Sequence, residues 1–264
     1  MKYQLLASDI DGTLIRRDQS LSPAVREAID KLKRAGKRFT LASGRPVGGL
    51  SKYVGLVSPD TPVISHNGAT ILCPDSGRLV YQRLMEPDSV LRLVALGREA
   101  GALVIVWSLD EMYSSEVTGP IEEYSRRNGE PLHLLQDPVP LAKRGVNKVL
   151  WLDEPVKIAA DGAALTREPV EAVCFCTSTP HILEFMHESV SKGEGLRKVC
   201  EYCGVDVSES IAAGDQLNDL AMLQAAGLGV AMGNAHEDVK RLAGFVTASN
   251  EEDGLAQVIE RFML

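Results

Sequence analysis

The chain of 264 residues lacks any excess of basic charge: 28 Lys and Arg stand against 36 Asp and Glu, a net charge of −8. A nucleic-acid or anionic-membrane partner would favour a basic face, so neither is expected. An anionic small substrate stays open, because a bound cation reverses the local field. No apolar run approaches the length of a membrane span. The start, Met1-Lys2-Tyr3-Gln4, leads straight into a strand and lacks the apolar stretch of a secretory signal. A cytoplasmic location is expected. Cysteine is scarce as well. An odd five, Cys73, Cys174, Cys176, Cys200 and Cys203, speaks against a disulfide framework. Cys200-x-x-Cys203 has the spacing of half a zinc site or a redox pair. It lies in a helical pattern with no second ligand pair nearby, so buried apolar thiols are expected. Internal repeats and low-complexity segments are also missing, and the length suits one large or two ordinary domains.

What is present begins at Ser8-Asp9-Ile10-Asp11-Gly12-Thr13-Leu14. It follows Leu5-Leu6-Ala7, which reads as a short buried strand. Two carboxylates one residue apart stand at that strand's carboxyl end. Alternation along an extended chain points both to one side, and Gly12 lets the chain turn away. Strand ends of this kind are where open α/β sheets bind ligands. The acids repel by roughly 4 kcal/mol at about 4 Å and an effective dielectric of 20, which calls for a positive partner. The alternative is a plain turn in which the aspartates cap backbone N–H groups.

A helix follows, with Ser22 as N-cap, Pro23 at its first position and Gly36 at its end. Phe39–Ala42 reads as the next strand, giving a strand–helix–strand opening with a right-handed crossover. It ends in Ser43-Gly44-Arg45. There the Ser43 hydroxyl and the following N–H groups either hold an anion or cap the next helix. Arg45 either reaches the same anion or a carboxylate, or lies on the surface. Pro62–Ser65 is a third strand, and Asn67-Gly68 carries a hairpin-turn signal. Asn67 either faces a substrate or serves the turn alone. From about Leu84 the rhythm changes to an α/β block with no D-x-D or Gly-rich loop. The earlier rhythm resumes at Ser191-Lys192-Gly193. A buried strand, Ser210–Ala213, then runs into Gly214-Asp215-Gln216-Leu217-Asn218-Asp219. The expected fold is therefore α/β. A Rossmann-like parallel-sheet core spans residues 1–83 and 189–264, and an inserted α/β cap domain spans 84–188.

Asp9 with Asp11, Ser43, Lys192, and Asp215 with Asn218 and Asp219 all stand at strand ends or helix starts. The acids suit a hard divalent ion, since Mg²⁺ takes one or two carboxylates plus phosphate and water. Lys192 is either an exposed residue at a helix start, against the helix dipole, or the positive charge the acids require.

With these motifs the chain resembles the haloacid dehalogenase superfamily of aspartate-nucleophile phosphatases, and within it the Cof-type sugar-phosphatase branch. The resemblance spans the whole length, including the insertion between Ser43 and Lys192. Ser43 stands where many relatives carry Thr, which keeps the hydroxyl. The resemblance implies Asp9 as nucleophile, forming an aspartyl-phosphate, and Asp11 as acid and then base. It implies a Mg²⁺ site of Asp9, the Asp11 backbone carbonyl and Asp215, oriented from behind by Asp219. Ser43, Gly44, Lys192 and Asn218, with Arg45, would hold the phosphoryl group. The implied activity is hydrolysis of small phosphorylated metabolites, sugar phosphates foremost, by a monomer or small homo-oligomer. A phosphomutase or a non-catalytic phosphometabolite sensor on the same scaffold are the alternatives. Leaving-group readers in the cap are expected among His181, Glu184, Tyr113 and Trp107.

Overall fold

The structure, a computed structural model, describes residues 2–264. The chain opens with β1 (Leu5–Ser8), α1 (Pro23–Arg34), β2 (Arg38–Leu41) and α2 (Val47–Val57). Next come β3 (Val63–Ser65), β4 (Thr70–Leu72) and β5 (Leu79–Gln82). The middle of the chain holds α3 (Pro87–Glu99), β6 (Leu103–Ser108), β7 (Glu111–Ser114), α4 (Gly119–Asn128), β8 (Leu132–Leu134) and α5 (Val139–Arg144). It continues with β9 (Lys148–Leu152), α6 (Pro155–Arg167), β10 (Val173–Thr179) and β11 (Ile182–His187). The last part is α7 (Lys192–Cys203), β12 (Ser210–Gly214), α8 (Leu220–Ala225), β13 (Leu228–Ala231), α9 (Glu237–Leu242), β14 (Phe245–Val246) and α10 (Gly254–Phe262).

Contacts divide these elements into two units. One comprises the chain up to Gly44, Leu50–Gln82 and Ser191–Leu264; the other comprises Arg45–Gly49 and Arg83–Val190. Residues 45–49, read from sequence as part of the core, therefore group with the second unit. The reason is local. The N–H of Val47 donates to Asp110 Oδ1 at 3.2 Å, and the N–H of Gly48 donates to Glu130.

The first unit is built on a wholly parallel sheet in the order β14-β13-β12-β1-β2. Its strands are short, and the inner strands β1 and β12 are buried on both faces, as parallel strands flanked by helices must be. On one face Leu6, Ile211 and Ala213 pack with Val25, Ile29 and Leu32 of α1 and Leu255, Val258 and Ile259 of α10. On the other, Leu5, Ala7 and Ala212 pack with Leu196 and Val199 of α7 and Met222 and Leu223 of α8. Ser22 caps α1 as expected, its Oγ accepting from Val25 N at 3.1 Å. β3, β4 and β5 form a small antiparallel sheet, joined to β2 by a bridge between Ala42 and Ile64.

The second unit is a six-stranded mixed sheet in the order β10-β11-β9-β6-β7-β8. Val104, Val149, Trp151 and Phe185 face the buried side chains of α3, α5 and α6. Ile105, Trp107 and Leu150 pack with Ile121 of α4 on the other face. No helix among the described residues is long and apolar enough to cross a membrane. Cys73 and Cys200 are buried free thiols, whereas Cys174, Cys176 and Cys203 are half-buried. Of the Cys200–Cys203 pair, expected to be buried thiols, Cys200 is buried and Cys203 only half-buried.

Candidate active site

The strand order places β1 beside β12, with Ser8 opposite Ala213. Each strand is followed at once by an acid, Asp9 or Asp215. The N–H of Asp9 donates to the Ala213 carbonyl at 3.0 Å. β1 leads to β2 on one side and has β12 on the other, so this is the point where strand order reverses and ligands bind in open α/β sheets. The loop after β1 closes tightly over the second acid. Gly12 has φ +83°, and a Cβ there would lie 2.4 Å from Asp215 Oδ2. Glycine meets both the backbone and the steric requirement. Two side chains steady Asp215: Thr13 Oγ1 donates to Oδ1 at 3.4 Å and Gln216 Nε2 to Oδ2 at 2.9 Å.

Asp219 is fully buried. Its Oδ2 accepts from the N–H groups of Asp215 and Gln216 at 2.9 and 3.0 Å, closing the turn that follows β12. Its Oδ1 accepts from Lys192 Nζ at 2.6 Å, and the same ammonium donates to Asp9 Oδ1 at 2.6 Å. Lys192 opens α7. Ser191 supplies the N-cap, its Oγ accepting from Glu194 N at 3.1 Å. The carboxylates of Asp9, Asp215 and Asp219 offer oxygen atoms that all lie within 4.8 Å of one another.

Burial dominates the electrostatics. It pushes the Asp9 carboxyl well above its ordinary range; Lys192 opposes this, while Asp219, Asp215 and Asp11 add to it in that order. Burial likewise pushes Asp215 up to about 6, against the hydrogen bond from Gln216. Burial works against the charge of Lys192, but Asp219 and Asp9 together hold it above the ordinary lysine value. Three clustered carboxylates and one ammonium leave two negative charges uncompensated, the charge of a divalent cation. Oxygen donors of this kind fit a hard cation such as Mg²⁺. Both oxygens of Asp219 and of Asp215 accept hydrogen bonds, and the difference lies in the donors. Asp219 is held by the Lys192 ammonium and by two backbone N–H groups, whereas Asp215 meets only the neutral side chains of Thr13 and Gln216 and Asp9 meets Lys192 through Oδ1. Asp215 and Asp9 are the carboxylates that could turn to a cation.

The other expected residues divide into two groups. Ser43 is buried; its N–H donates to the Ile64 carbonyl and its carbonyl accepts from Asn67 N, both at 2.9 Å. Gly44 packs against the Asn67 amide. Asn218 Nδ2 donates to Asn67 Oδ1 at 3.0 Å. These residues lie in the first unit with the acids and Lys192, whereas Arg45 groups with the second unit. Asp11 differs from Asp9 in burial. β1 ends at Ser8, so strand alternation does not govern the two acids, and Asp9 is buried while Asp11 is exposed. Lys192 accordingly pairs Asp9 with Asp219 rather than with Asp11. Sequence reasoning left out Thr13 and Gln216 as partners of Asp215, although both adjoin residues it singled out. It also left Asn67 unassigned.

In the second unit Trp107 is fully buried core with Tyr124 edge-on to it at 6.5 Å, and Glu184 forms a buried ion pair with Lys148 at 3.0 Å. Tyr113 donates to Glu111 and stacks on His133. His181 is exposed in the β10–β11 turn, its Nδ1 3.2 Å from the Asp153 carbonyl.

Residues 6–259 match the haloacid dehalogenase-like hydrolase family. A Bacillus subtilis protein, 5-amino-6-(5-phospho-D-ribitylamino)uracil phosphatase YitU, is 30% identical, over 99% of this chain and 98% of its own. The crystal structure of a haloacid dehalogenase-like hydrolase from Bacteroides thetaiotaomicron matches with a TM-score of 0.85 at 29% identity, covering 98% of this chain and 99% of that one. A HAD subclass IIB sugar phosphatase shares the fold, with a TM-score of 0.84 at 22% identity over 99% of this chain and 100% of its own.

Proposed function

The chain belongs to the haloacid dehalogenase-like hydrolases and is a phosphatase; we propose that it is a Mg²⁺-dependent enzyme that hydrolyses small phosphorylated metabolites through an aspartyl-phosphate on Asp9. The buried cluster of Asp9, Asp215 and Asp219 bridged by Lys192 is the observation that carries this reading. Asp9 attacks phosphorus, a bond forms from its carboxylate, and the bond to the ester oxygen breaks. Asp11 delivers a proton to the departing alcohol. Water then attacks the aspartyl-phosphate, Asp11 takes its proton, and inorganic phosphate leaves Asp9 free again. The exposure of Asp11 suits a group that must meet both the alcohol and the water.

Most of the work in phosphoryl transfer is positioning and charge neutralisation. Ser43, the Gly44 N–H, Lys192 and Asn218 bind the phosphoryl oxygens; Arg45, which groups with the second unit, is left out of this set. Asp219 fixes Lys192 and the backbone of Asp215. Mg²⁺, held by Asp9, the Asp11 carbonyl and Asp215, would neutralise charge on the transferring phosphoryl group. A phosphorylated polyhydroxyl compound is the favoured substrate class. A relative at 30% identity is named for a phosphoribityl substrate, and sugar phosphates share that chemistry. A panel of such compounds, assayed for phosphate release with Mg²⁺ and again in EDTA, tests the reading. Release that stops in EDTA and returns with Mg²⁺ is expected. Unchanged release in EDTA would remove the metal, and an isomeric sugar phosphate as main product would make the enzyme a mutase.

A further inference from the structure

Between β3 and β4 the chain makes an uncommon turn. His66, Asn67 and Gly68 have φ of 47°, 56° and 104° in succession, and all three are buried. A left-handed backbone is costly for side chains other than glycine, least so for asparagine. A hairpin needs only a solvent-facing Asn-Gly turn, so burying this strained segment asks for another reason. The contacts supply one. Asn67 N donates to the Ser43 carbonyl at 2.9 Å, and Asn67 Oδ1 accepts from Asn218 Nδ2 at 3.0 Å. A Cβ on Gly68 would lie 2.3 Å from the Ser191 carbonyl, at the start of the helix that carries Lys192. One turn thus touches the three segments bearing Ser43, Asn218 and Lys192.

Resting on the reading of Asn218 as a phosphoryl ligand, we propose that Asn67 is a positioning residue that orients the Asn218 amide for phosphate. Asn218 Nδ2 carries two hydrogens. Asn67 Oδ1 takes one, which fixes the amide plane and aims the other at the phosphoryl group. The backbone bond to Ser43 ties that orientation to the loop holding the opposite side of the anion. Asn67 itself gives no proton to substrate. The effect of its side-chain amide on phosphate passes through Asn218.

The test is a double-mutant cycle read on inhibition by inorganic phosphate, with Mg²⁺ present. It uses the parent, Asn67→Gly, Asn218→Ala and the double variant. Glycine adopts the turn backbone readily, so Asn67→Gly removes the amide and leaves the turn. Each single change is expected to raise the phosphate inhibition constant about five- to tenfold. The double variant is expected to be no worse than Asn218→Ala alone. An unchanged constant in Asn67→Gly, or effects that multiply in the double variant, overturns the proposal. An unchanged constant in Asn218→Ala instead overturns the phosphate role of Asn218. Rotation of the Asn218 side-chain amide, followed by NMR, separates the two outcomes. It is expected to be slow in the parent, fast in Asn67→Gly, and slow again in Asn67→Asp, which keeps an acceptor oxygen on a residue tolerant of this backbone. Equal rotation rates in the parent and Asn67→Gly refute the orienting contact whatever the kinetics show. Should Asn67→Gly not fold, the proposal stands or falls on Asn67→Asp: fast rotation there refutes it.

Discussion

Lys192 and Asp9 meet across 183 residues of sequence, Nζ to Oδ1 at 2.6 Å, with both residues buried. Asp219 holds the same ammonium at 2.6 Å. A buried charge pair seldom adds net stability over an apolar packing, yet removing one partner is costly, because the other is left buried and unpaired. Lys192→Met leaves two carboxylates facing each other without a cation. It is expected to lower the unfolding free energy by about 3–5 kcal/mol. Urea denaturation in EDTA measures this directly, and a loss below about 1 kcal/mol would mean that Lys192 does not neutralise the cluster.

Asp9→Asn separates charge from shape. The asparagine oxygen can still accept from Lys192, so the circular dichroism spectrum is expected to match the parent. Turnover of a simple phosphate monoester is expected to fall at least about a thousandfold, because an amide is a poor nucleophile toward phosphorus. Appreciable residual turnover in clean protein would reject Asp9 as the attacking group.

The parallel core was legible because its strands are short, mostly apolar and bounded by clear helix signals, as at Ser22 and Ser191. Local patterns also marked Asp9, Lys192, Asp215 and Asp219, since each stands at a strand end or helix start. Other elements left little trace. β8 is a three-residue strand with mostly exposed side chains, and α5 and α9 have six residues each, too few for a helical period to declare itself. The difference in burial between Asp9 and Asp11 was not legible, because β1 stops at Ser8 and strand alternation says nothing beyond it. Asn67 stayed ambiguous because its partner Asn218 lies 151 residues away, and nothing in an Asn-Gly dipeptide shows a long-range contact. Arg45 follows Gly44 directly, but sequence adjacency does not reveal that the next helix start is held by Asp110 and Glu130.

Gly12→Ala tests the close approach of the first loop to Asp215. The added methyl meets the Asp215 carboxylate, and φ +83° is strained for alanine. Asp215 should therefore shift. The Mg²⁺ concentration giving half-maximal activity is expected to rise about tenfold or more, since small displacements of a ligand weaken a metal site. A Mg²⁺ titration of activity measures it, and a curve that overlays the parent would show that the loop yields without moving Asp215.

Glu130 gives a pH dependence in the second unit, independent of the acidic cluster. Burial, then the neighbouring Asp110, pushes its carboxyl from an ordinary 4.5 up to about 7, against the hydrogen bond from Gly48 N. Between those two values the folded protein binds this proton more tightly than the unfolded chain. Stability must therefore fall as pH rises through that window, and the contribution is lost above about pH 7. Glu130→Gln keeps the shape and removes the titration. Parent and variant are expected to melt together near pH 5, where Glu130 is neutral in the fold. By pH 8 the variant should be the more stable by on the order of 1 kcal/mol, after allowing for solvent screening of a half-buried side chain. Thermal melts of both proteins across this range check the sign. A gap that stays constant with pH would show that Glu130 titrates alike in the folded and unfolded chains.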